Sequence, residues 1–589
     1  MPALTLPHCC HFCHVAQRLP RLAAVALLAM LAACTRGIAS PAKGGYDLVI
    51  TNGRIVDGTG NPFYYGDIGV RGDRIVAIAP RGALATAAAR TTVNADGLVV
   101  APGFIDIQSH SWNALLFADG RLVGKVSQGV TTEILGEATT PAPSNADVDS
   151  LFAGGDADDA LMLERVKSFR GVHGFGAWLA AMEAHGISVN AGSYLGAATI
   201  RGYAMGRVEG AAPAAQLDTM RTIVRNAMRD GAFGVSSALI YPPGSYASTS
   251  ELIEIARAMA PLHGTYITHI RSEEGALLTA MDEAIRIGRD GGVPVVMYHF
   301  KASGQRNWPL AAPAIAKIDS ARAAGQDVKA TMYPYPASGN NLSACIPGWV
   351  HADGKLLARL QDTTLRARIR REMSAEEPTA ETYCQANPAS AYQIAGFRKP
   401  EWKRFEGKRL DEIAAGLQQD WMDAIITLTI GERNTLGKVT FGMSEPNVAA
   451  MIARPWVVIG SDAGGADPDS STALLHPRSY GTFTRVLGKY ARADSVLTLE
   501  DAVRKMTWST AQILGLRDRG MLKEGNFADI VILDFATITD KATFTQPHQL
   551  SVGVRDVFVN GTAVWQNGKH TGAKPGRAVR GVAWDGVVR

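Results

Sequence analysis

Beyond residue 34 this chain has almost no cysteine. Four of its six cysteines lie within the first 34 residues, and only Cys345 and Cys384 remain in the rest of the 589-residue sequence. A framework of several disulfides is therefore excluded, although these two residues can form one disulfide bond in an oxidising compartment. The chain also lacks a basic run, and its formal charge of +4 is small for its length. We therefore expect no nucleic-acid partner.

The apolar run near the N-terminus is too short to cross a bilayer. It covers residues 22–33 after a basic segment, whereas a spanning helix needs about 20 apolar residues. This pattern is typical of a secretory signal. The run ends in Leu-Ala-Ala-Cys, which resembles a bacterial lipobox, so we expect a signal peptide at 1–33, a lipidated Cys34 and a tether at 34–45. The protein would then lie in the cell envelope, in the periplasm or at the outer membrane, and touch the membrane only through this anchor. The alternative is an ordinary signal peptide in which Cys34 is incidental.

The composition is that of a well-buried globular protein with many turns. Apolar residues make up 47% of the chain, charged residues 19%, and there are 61 glycines. Eight short apolar runs stand out, at 104–107, 132–135, 189–195, 233–239, 266–268, 294–297, 328–332 and 455–459. Each is followed by polar residues, which are Gln108 and His110, Glu137, Thr199 and Arg201, Tyr241, His269 and Arg271, His299 and Lys301, Tyr333 and Tyr335, and Ser461 and Asp462. In a parallel barrel the carboxyl ends of all strands share one face, where catalytic groups gather.

Short strands with turn signals occur at both ends of the chain, and the middle alternates strands with helices. This pattern predicts an α/β protein with a (β/α)8 TIM barrel at 102–519. The segment near 343–454 is richer in charge and in helix formers, which indicates an insertion after the seventh strand. The terminal segments 46–101 and 520–589 are predicted to form one small β-sandwich domain.

Two histidines lie at the ends of successive predicted strands. His269 and His299 are separated by one helix, so their imidazoles can converge on one metal ion at about 2.0–2.1 Å each. A single histidine in an apolar run is more often a core residue, but two at this spacing weaken that interpretation. Asp462 ends another strand and suits a general base beside a metal. Glu137 is a second carboxylate on the same face, and its alternative is a solvated loop acid.

Several segments together resemble the N-acyl-D-amino-acid deacylases (D-aminoacylases) of the amidohydrolase superfamily. The resemblance covers the chain from Tyr46 to about Gly568. The segments are 101–106 (APGFID), 129–132 (GVTT), 240–247 (IYPPGSYA), 268–271 (THIR), 333–335 (YPY), 460–462 (GSD), 476–483 (HPRSYGTF) and 520–529 (GMLKEGNFAD).

The resemblance implies a zinc enzyme that hydrolyses the amide bond of N-acyl-D-amino acids. His269 and His299 match the family's strand-end zinc ligands, and Asp462 matches its catalytic aspartate. Three further residues fall where the substrate carboxylate or carbonyl is expected to bind, namely Lys301, Tyr333 and Arg478. The planar fork of an arginine suits a carboxylate, and the alternative for Arg478 is a structural salt bridge.

The mechanism expected from this resemblance is metal-assisted hydrolysis of an amide. Asp462 is expected to take a proton from water and to return it to the leaving amine. His110 or Tyr333 is expected to help stabilise the tetrahedral oxyanion.

The chain departs from the family pattern at the ends of its first two strands. The family usually ends the first strand in His-x-His. Here Gln108 replaces the first histidine, and His110, in the second place, is a candidate metal ligand. The family also has a cysteine ligand after the second strand, where this chain has Glu137. Because carboxylates bind zinc at about 2.0–2.2 Å, Glu137 is expected to replace the thiolate; its alternative is to orient a ligand. We therefore expect one firmly bound zinc ion, with a second ion weak or absent.

Other functions share these features. A dipeptidase or a cyclic amidase of the same superfamily would keep the barrel and the metal and would also act on a small molecule. A non-catalytic binding lipoprotein would keep the barrel without the chemistry. Metal content together with hydrolysis of acyl-amino acids or dipeptides distinguishes these alternatives.

Overall fold

The structure is a computed structural model that describes residues 45–152, 157–374, 384–471 and 473–588. The predicted signal peptide, Cys34 and the tether up to residue 44 lie outside the described residues. Across the described ranges, no helix is both long enough and apolar enough to span a membrane.

One sheet contains strands from both ends of the chain. Val99–Pro102 is its centre, because it pairs in parallel with Tyr46–Ile55 and antiparallel with Ile530–Leu533. The other strands of this sheet are Tyr64–Arg71, Arg74–Pro80, Ala89–Asn94, Val554–Val559, Thr562–Gln566 and Lys569–His570. Side chains such as Ile50, Ile68 and Ile530 pack together in its core. The prediction of a β-domain built from both termini is confirmed.

The barrel contributes eight parallel strands. They are β1 (Phe104–Asp106), β2 (Val130–Leu135), β3 (Asn190–Ser193, continued by Leu195–Gly196), β4 (Gly234–Ala238), β5 (Thr265–His269), β6 (Val295–Met297), β7 (Val328–Met332) and β8 (Val457–Ile459). The strands β1, β2 and β3 pair in one sheet. The continuation of β3 pairs with β4 in a second sheet, which runs on through β5, β6, β7 and β8. Beyond β1 and β8, Asp462 N donates to Gln108 O at 2.8 Å, and His110 N donates to Ala463 O at 3.1 Å. The polar ends of neighbouring strands are thus brought side by side.

Helices follow the strands and cover their outer faces. Thr249–Met259 begins where Ser248 Oγ accepts from Glu251 N at 3.2 Å, a cap that satisfies a free backbone donor. Its buried face, with Leu252 and Met259, belongs to the barrel core. The remaining α-helices of the barrel are Trp112–Leu116, Val123–Val126, Ala146–Phe152, Ala157–Lys167, Gly174–His185, Ala197–Met205, Ala214–Asp230, Leu277–Gly291, Ala311–Ala323, Glu445–Ile452, Arg478–Arg485, Leu499–Met506 and Trp508–Ile513.

The segment between β7 and β8 has a core of its own, separate from that of the barrel. Its strands are Ser338–Asn341, Tyr392–Ala395 and Gly437–Thr440, and its α-helices are Gly348–His351, Leu356–Gln361, Arg366–Met373, Leu410–Leu417 and Trp421–Gly431. Leu342, Ile394 and Ile425 are among the side chains of this core. Cys345 and Cys384 are joined in a disulfide with their Cα atoms 5.1 Å apart, within the usual range for such a bond.

Candidate metal centre and active site

Glu137 reaches the centre of the site because of the turn that ends β2. Gly136 has a φ of 109°, and a Cβ there would lie 2.2 Å from the carbonyl oxygen of Tyr194, so the turn requires glycine. Glu137 Oε1 then lies 3.2 Å from His269 Nδ1 and 3.3 Å from His299 Nε2. The two strand-end histidines and this carboxylate therefore meet at one point.

The two imidazole rings stand almost perpendicular to each other, with centroids 4.3 Å apart. Both rings are buried, and one ligand atom from each of His269, His299 and Glu137 lies within 4.8 Å of the others. Two imidazoles and a carboxylate form a ligand set found in catalytic zinc sites, which keep a further position open. His299 has a φ of 35°, a strained backbone for a residue with a side chain. We call Glu137, His269 and His299 the metal cluster.

Electrostatics in the metal cluster favour a cation. Burial lowers the pKa of His269, which favours the neutral imidazole that a metal needs. Burial and Lys301 oppose protonation of His299, but Glu273 and Glu137 outweigh them and raise its pKa to about 9. Burial also disfavours the Glu137 carboxylate, yet hydrogen bonds from His110, His269 and His299 hold its pKa well below the usual range. A metal ion bound here would displace the proton of His299.

Glu273 is a site residue that the sequence did not reveal. Its Oε1 lies 2.8 Å from His299 Nδ1, and it also accepts a hydrogen bond from Lys301 Nζ. Lys301 Nζ donates in addition to His299 O at 2.9 Å. A carboxylate on the far nitrogen of a histidine fixes the ring and leaves the other nitrogen free to bind a metal. Glu273 lies in the loop beyond β5, four residues after His269, so a search restricted to strand ends passes over it.

A second cluster adjoins the metal cluster on the side of β1. His110 Nε2 lies 2.9 Å from Asp462 Oδ1 and 3.4 Å from Glu137 Oε2. Burial opposes protonation of His110, but the hydrogen bonds to Asp462 and Glu137 outweigh it and raise its pKa to about 10. The side chain is 40% exposed, so solvent weakens these contacts. A protonated His110 would supply a positive charge where a second metal ion would lie.

Gln108 completes this second cluster as a hydrogen-bond donor. Its Nε2 donates to Glu137 Oε2 at 2.8 Å, and its Oε1 accepts from Thr331 Oγ1 at 2.7 Å. The two contacts fix the amide so that its NH2 group faces the carboxylate. This group has no lone pair for a metal, so Gln108 occupies the position of a ligand without acting as one.

Asp462 is held firmly after β8. Its backbone has a φ of 51°, and its Oδ2 lies 2.6 Å from Arg478 Nη1. Burial disfavours the carboxylate, but Arg478 and His110 outweigh this and lower its pKa. Asp462 is therefore an ionised base directed at the space beside Glu137.

A fully buried lysine supports the segment that carries Asp462. Lys125 Nζ donates to Asp106 Oδ2 at 2.6 Å, to Ser461 Oγ at 2.7 Å and to Ala463 O at 2.8 Å. Glu133 Oε1 lies 3.1 Å away, and burial raises the pKa of that carboxyl. Burial disfavours the charged lysine, but Asp106 and Glu133 outweigh it and raise the pKa of Lys125. The ammonium thus ties β1 to the residues on both sides of Asp462.

Replacing Lys125 by methionine should therefore destabilise the protein by about 3–5 kcal/mol, because it leaves the buried carboxyl groups of Asp106 and Glu133 without their cationic partner. Urea unfolding of the wild type and K125M measures this loss. The double variant K125M/D106N removes the lysine together with one of its two carboxylate partners, and it should recover part of the stability. A loss below about 1 kcal/mol for K125M would show that this contact does not hold the segment.

The three residues expected to bind substrate lie together on the side of β6 to β8. The guanidinium carbon of Arg478 lies 4.8 Å from the centre of the Tyr333 ring, and Lys301 Nζ lies 5.7 Å from it. Burial holds the pKa of Tyr333 well above its usual range, so its hydroxyl remains a donor. Arg478 also pairs with Asp462, so it forms the structural salt bridge that the sequence analysis gave as its alternative role. We call Lys301, Tyr333 and Arg478 the anion group.

Three of the polar residues that follow the strands lie outside the site. Arg201 belongs to the helix Ala197–Met205, where it forms a buried ion pair with Glu251 at 2.6 Å. Arg271 pairs with Glu283 at 2.9 Å. Tyr335 is hydrogen-bonded to Asp540 at 3.1 Å. Placing Arg201 on the catalytic face was wrong, because the chain turns into a helix directly after β3.

The sequence and the fold are both similar to those of known deacylases. Residues 412–565 match the amidohydrolase family. The chain is 36% identical over 544 residues to the D-aminoacylase of Alcaligenes xylosoxydans xylosoxydans, an alignment that covers 91% of this chain and 97% of the relative. It is 34% identical to the N-acyl-D-glutamate deacylase of the same organism, with 91% and 96% covered.

Solved structures show the same similarity. A crystal structure of a D-aminoacylase superposes with a TM-score of 0.73 at 32% identity and covers 91% of this chain and 100% of that chain. The N-acyl-D-glutamate deacylase of Bordetella bronchiseptica, solved with zinc and a phosphonate that mimics the tetrahedral intermediate, superposes with a TM-score of 0.73 at 31% identity, with the same coverage. These superpositions confirm the predicted barrel with its β-sandwich. The chain therefore belongs to the N-acyl-D-amino-acid deacylase (D-aminoacylase) family of amidohydrolases.

Proposed function

We propose that this protein is a zinc-dependent hydrolase that cleaves the amide bond of N-acyl-D-amino acids. The observation that carries the proposal is the buried metal cluster with the ionised Asp462 beside it. A metal-ligand set and a base in adjacent positions are what metal-assisted amide hydrolysis requires. The names of the relatives, a D-aminoacylase and N-acyl-D-glutamate and N-acyl-D-aspartate deacylases, support this class of substrate.

The residues present fit a zinc ion. Glu137, His269 and His299 would hold it, since their donor atoms are a carboxylate oxygen and two ring nitrogens in a buried position. A bound zinc ion acidifies water and polarises a carbonyl oxygen. Glu273 keeps His299 in the orientation that presents Nε2 to the cluster.

The residues of the chain then divide the reaction between them. Asp462 takes a proton from the attacking water and delivers it to the nitrogen of the leaving amino acid. His110 lies next to Asp462 and, as an N–H donor, can stabilise negative charge that develops on the substrate oxygen. The anion group holds the α-carboxylate through the charges of Lys301 and Arg478 and the hydroxyl of Tyr333.

The test is a hydrolysis screen with purified, zinc-loaded protein. N-acetyl-D-amino acids, their L-enantiomers and dipeptides are compared by kcat/KM. We expect the N-acetyl-D-amino acids to be hydrolysed and the L-enantiomers to react far more slowly. Hydrolysis of L-substrates alone would contradict the stereochemical part of the proposal. Absence of both zinc and hydrolysis would favour a binding lipoprotein instead.

We expect one firmly bound zinc ion per chain. A solved D-aminoacylase has a binuclear metal centre with activation by one metal and attenuation by the second. In this chain the NH2 group of Gln108 and the imidazole of His110 contact the carboxylates that a second ion would need. Excess zinc should therefore inhibit this protein only weakly.

The substitution Gln108→His should raise the zinc content from about one ion per chain towards two, because it replaces an amide donor by an imidazole ligand. Elemental analysis after dialysis measures the content. Gln108→Leu is the matched control, since it removes the amide without adding a ligand, and it should stay near one. Two ions in the wild type would show that Gln108 does not limit the site.

We also propose that the protein is anchored in the cell envelope through lipidated Cys34. The support is the lipobox-like sequence that ends at this cysteine. Expression with a radioactive fatty acid should label the wild type and leave C34S unlabelled. Equal labelling of both would exclude Cys34 as the anchor.

A further inference from the structure

Arg478 begins a helix, and a histidine two residues before it holds its backbone. Arg478 is the first residue of the helix Arg478–Arg485, and the first N–H groups of a helix have no partner within it. Here Arg478 N donates to His476 Nδ1 at 3.1 Å. The other ring nitrogen of His476, Nε2, donates to the carbonyl oxygen of Ala337 at 3.0 Å. The imidazole therefore joins the residue that carries the guanidinium to the segment after β7.

The guanidinium of Arg478 contacts the same segment directly. Its Nη2 donates to Gly339 O at 3.3 Å, and its Nη1 lies 2.6 Å from Asp462 Oδ2. A Cβ at Gly339 would lie 3.7 Å from Arg478 Nη2 and 3.7 Å from Cδ2 of His476, so both side chains pack against this glycine. Two contacts, one through the imidazole and one direct, thus fix Arg478 relative to residues 337–339.

The ring of His476 is itself held by two aromatic rings from different parts of the fold. The centroid of Tyr335 lies 5.4 Å from it and that of Phe544 lies 5.0 Å from it, both in edge-on contact. Tyr335 follows β7, and Phe544 belongs to the loop between the sandwich strands Ile530–Leu533 and Val554–Val559. Edge-to-face contacts favour one orientation of a ring. The sandwich therefore contributes to the position of a residue next to the anion group.

The imidazole of His476 is neutral. Burial and the charge of Arg478 hold its pKa well below the usual range, and they outweigh the hydrogen bond to Ala337 and the charge of Asp462. A carbonyl oxygen only accepts hydrogen bonds, so Nε2 carries the proton and Nδ1 keeps its lone pair for Arg478 N. In this state His476 connects two segments and takes no part in proton transfer.

We propose that His476 is a positioning residue for the substrate carboxylate, because it fixes Arg478 where the guanidinium can bind that carboxylate while it remains paired with Asp462. This inference rests on the proposed function, in which the anion group binds the α-carboxylate. A guanidinium binds a carboxylate best when their planes and edges match. Asp462 attracts the same guanidinium, and the contacts to residues 337–339 keep it from turning fully towards that base.

Three substitutions of His476 separate its hydrogen bonds from its packing. H476F keeps a ring against Tyr335 and Phe544 but makes neither hydrogen bond. H476Q can place an NH2 group near the position of Nε2, so it keeps the donor to Ala337 and loses the acceptor for Arg478 N. H476N places a carbonyl oxygen near the position of Nδ1, so it keeps that acceptor. H476N is therefore the matched control.

The experiment measures kcat and KM of the zinc-loaded wild type and the three variants with N-acetyl-D-leucine and N-acetyl-D-leucinamide, which has no carboxylate. With N-acetyl-D-leucine, kcat/KM of H476F and H476Q should fall between about tenfold and a hundredfold, mainly through KM, because the guanidinium is displaced. H476N should resemble the wild type. With the leucinamide, all four proteins should have nearly equal values. Thermal melting checks folding, and H476Q carries the test if H476F does not fold.

An equal loss with both substrates in H476F and H476Q would overturn the proposal, because His476 would then support the fold in general. Wild-type activity of H476Q with N-acetyl-D-leucine would also overturn it, as would a loss in H476N as large as that in H476Q. Equal kcat/KM of the wild type for the two substrates would overturn it too, since the anion group would then not recognise the carboxylate.

Failure of the wild type to hydrolyse either substrate would overturn the deacylase function and leave the positioning role to a separate measurement. Calorimetric titration with N-acetyl-D-leucine then gives Kd for the same four proteins. Weaker binding by H476F and H476Q than by the wild type and H476N would support the positioning role. Equal Kd values in all four would overturn it.

Discussion

The substitution Asp462→Asn should lower kcat by about 10³–10⁴-fold, because an amide cannot take the proton from water and general acid–base catalysis contributes effects of up to this size. The loss should occur at nearly unchanged zinc content. Glu137, His269 and His299 do not depend on the charge of Asp462 for their mutual contacts, whose distances are 3.2 and 3.3 Å. Steady-state kinetics with N-acetyl-D-leucine and elemental analysis of the same sample measure both quantities.

The control for this variant is Asp467→Asn. Asp467 lies five residues further along the same segment and pairs with Arg121 at 2.7 Å, away from the metal cluster. Its kcat should stay within about twofold of the wild type, because an ion pair near the surface contributes little. If D462N lost its zinc together with its activity, Asp462 would be a ligand first and a base second.

The sequence allowed the strand-end residues to be predicted because their placement is a local property. A short apolar run followed by a polar residue defines where a buried strand ends, and parallel strands bring those ends together. His269, His299 and Asp462 were found in this way, and the structure brings all three to the same face. Their roles as ligands and base stay predictions until the variants are measured.

Local sequence patterns could not predict contacts between segments that lie far apart in the chain. Glu273 lies in a loop and becomes relevant only because the fold turns it back on His299. Lys125 is separated from Ser461 by 336 positions, so the link through its Nζ atom depends on β1 and β8 meeting. The contacts of His476 likewise depend on where the sandwich loop with Phe544 packs against the barrel, which no local pattern specifies.

The position after β2 shows how one substitution changes a whole set of contacts. Where the family is expected to have a cysteine, Glu137 offers two oxygens instead of one sulfur. Its Oε1 faces both histidines, and its Oε2 accepts from Gln108. A thiolate cannot make both sets of contacts at once. Gln108 and Glu137 therefore form a matched pair, in which the amide of one saturates the spare oxygen of the other.

Replacing Glu137 by alanine should remove most of the bound zinc and lower kcat/KM on the order of a thousandfold, because the acidification of water by the metal is lost. The substitution Glu137→Cys should keep the zinc, since a thiolate is a good zinc ligand at about 2.3 Å. The two variants thus separate loss of a ligand from loss of a carboxylate. Elemental analysis and kcat/KM are measured for both, with the wild type as reference.

Thermal melting gives a measure of metal binding that does not depend on activity. A ligand that binds only the folded state stabilises it by about 2.7 kcal/mol at a hundredfold excess over Kd. A chelator should therefore lower the Tm of the wild type and of E137C and leave the Tm of E137A nearly unchanged.

If E137A instead kept one zinc ion with affinity reduced only about 10–100-fold, Glu137 would orient the histidines rather than bind the metal. In that case His269 and His299 would be the two protein ligands of the zinc ion, and a catalytic zinc site normally has three. Zinc retention by E137C together with zinc loss by E137A is therefore the outcome that fits the geometry, because three donor atoms within 4.8 Å of one another form a complete site only when residue 137 supplies one.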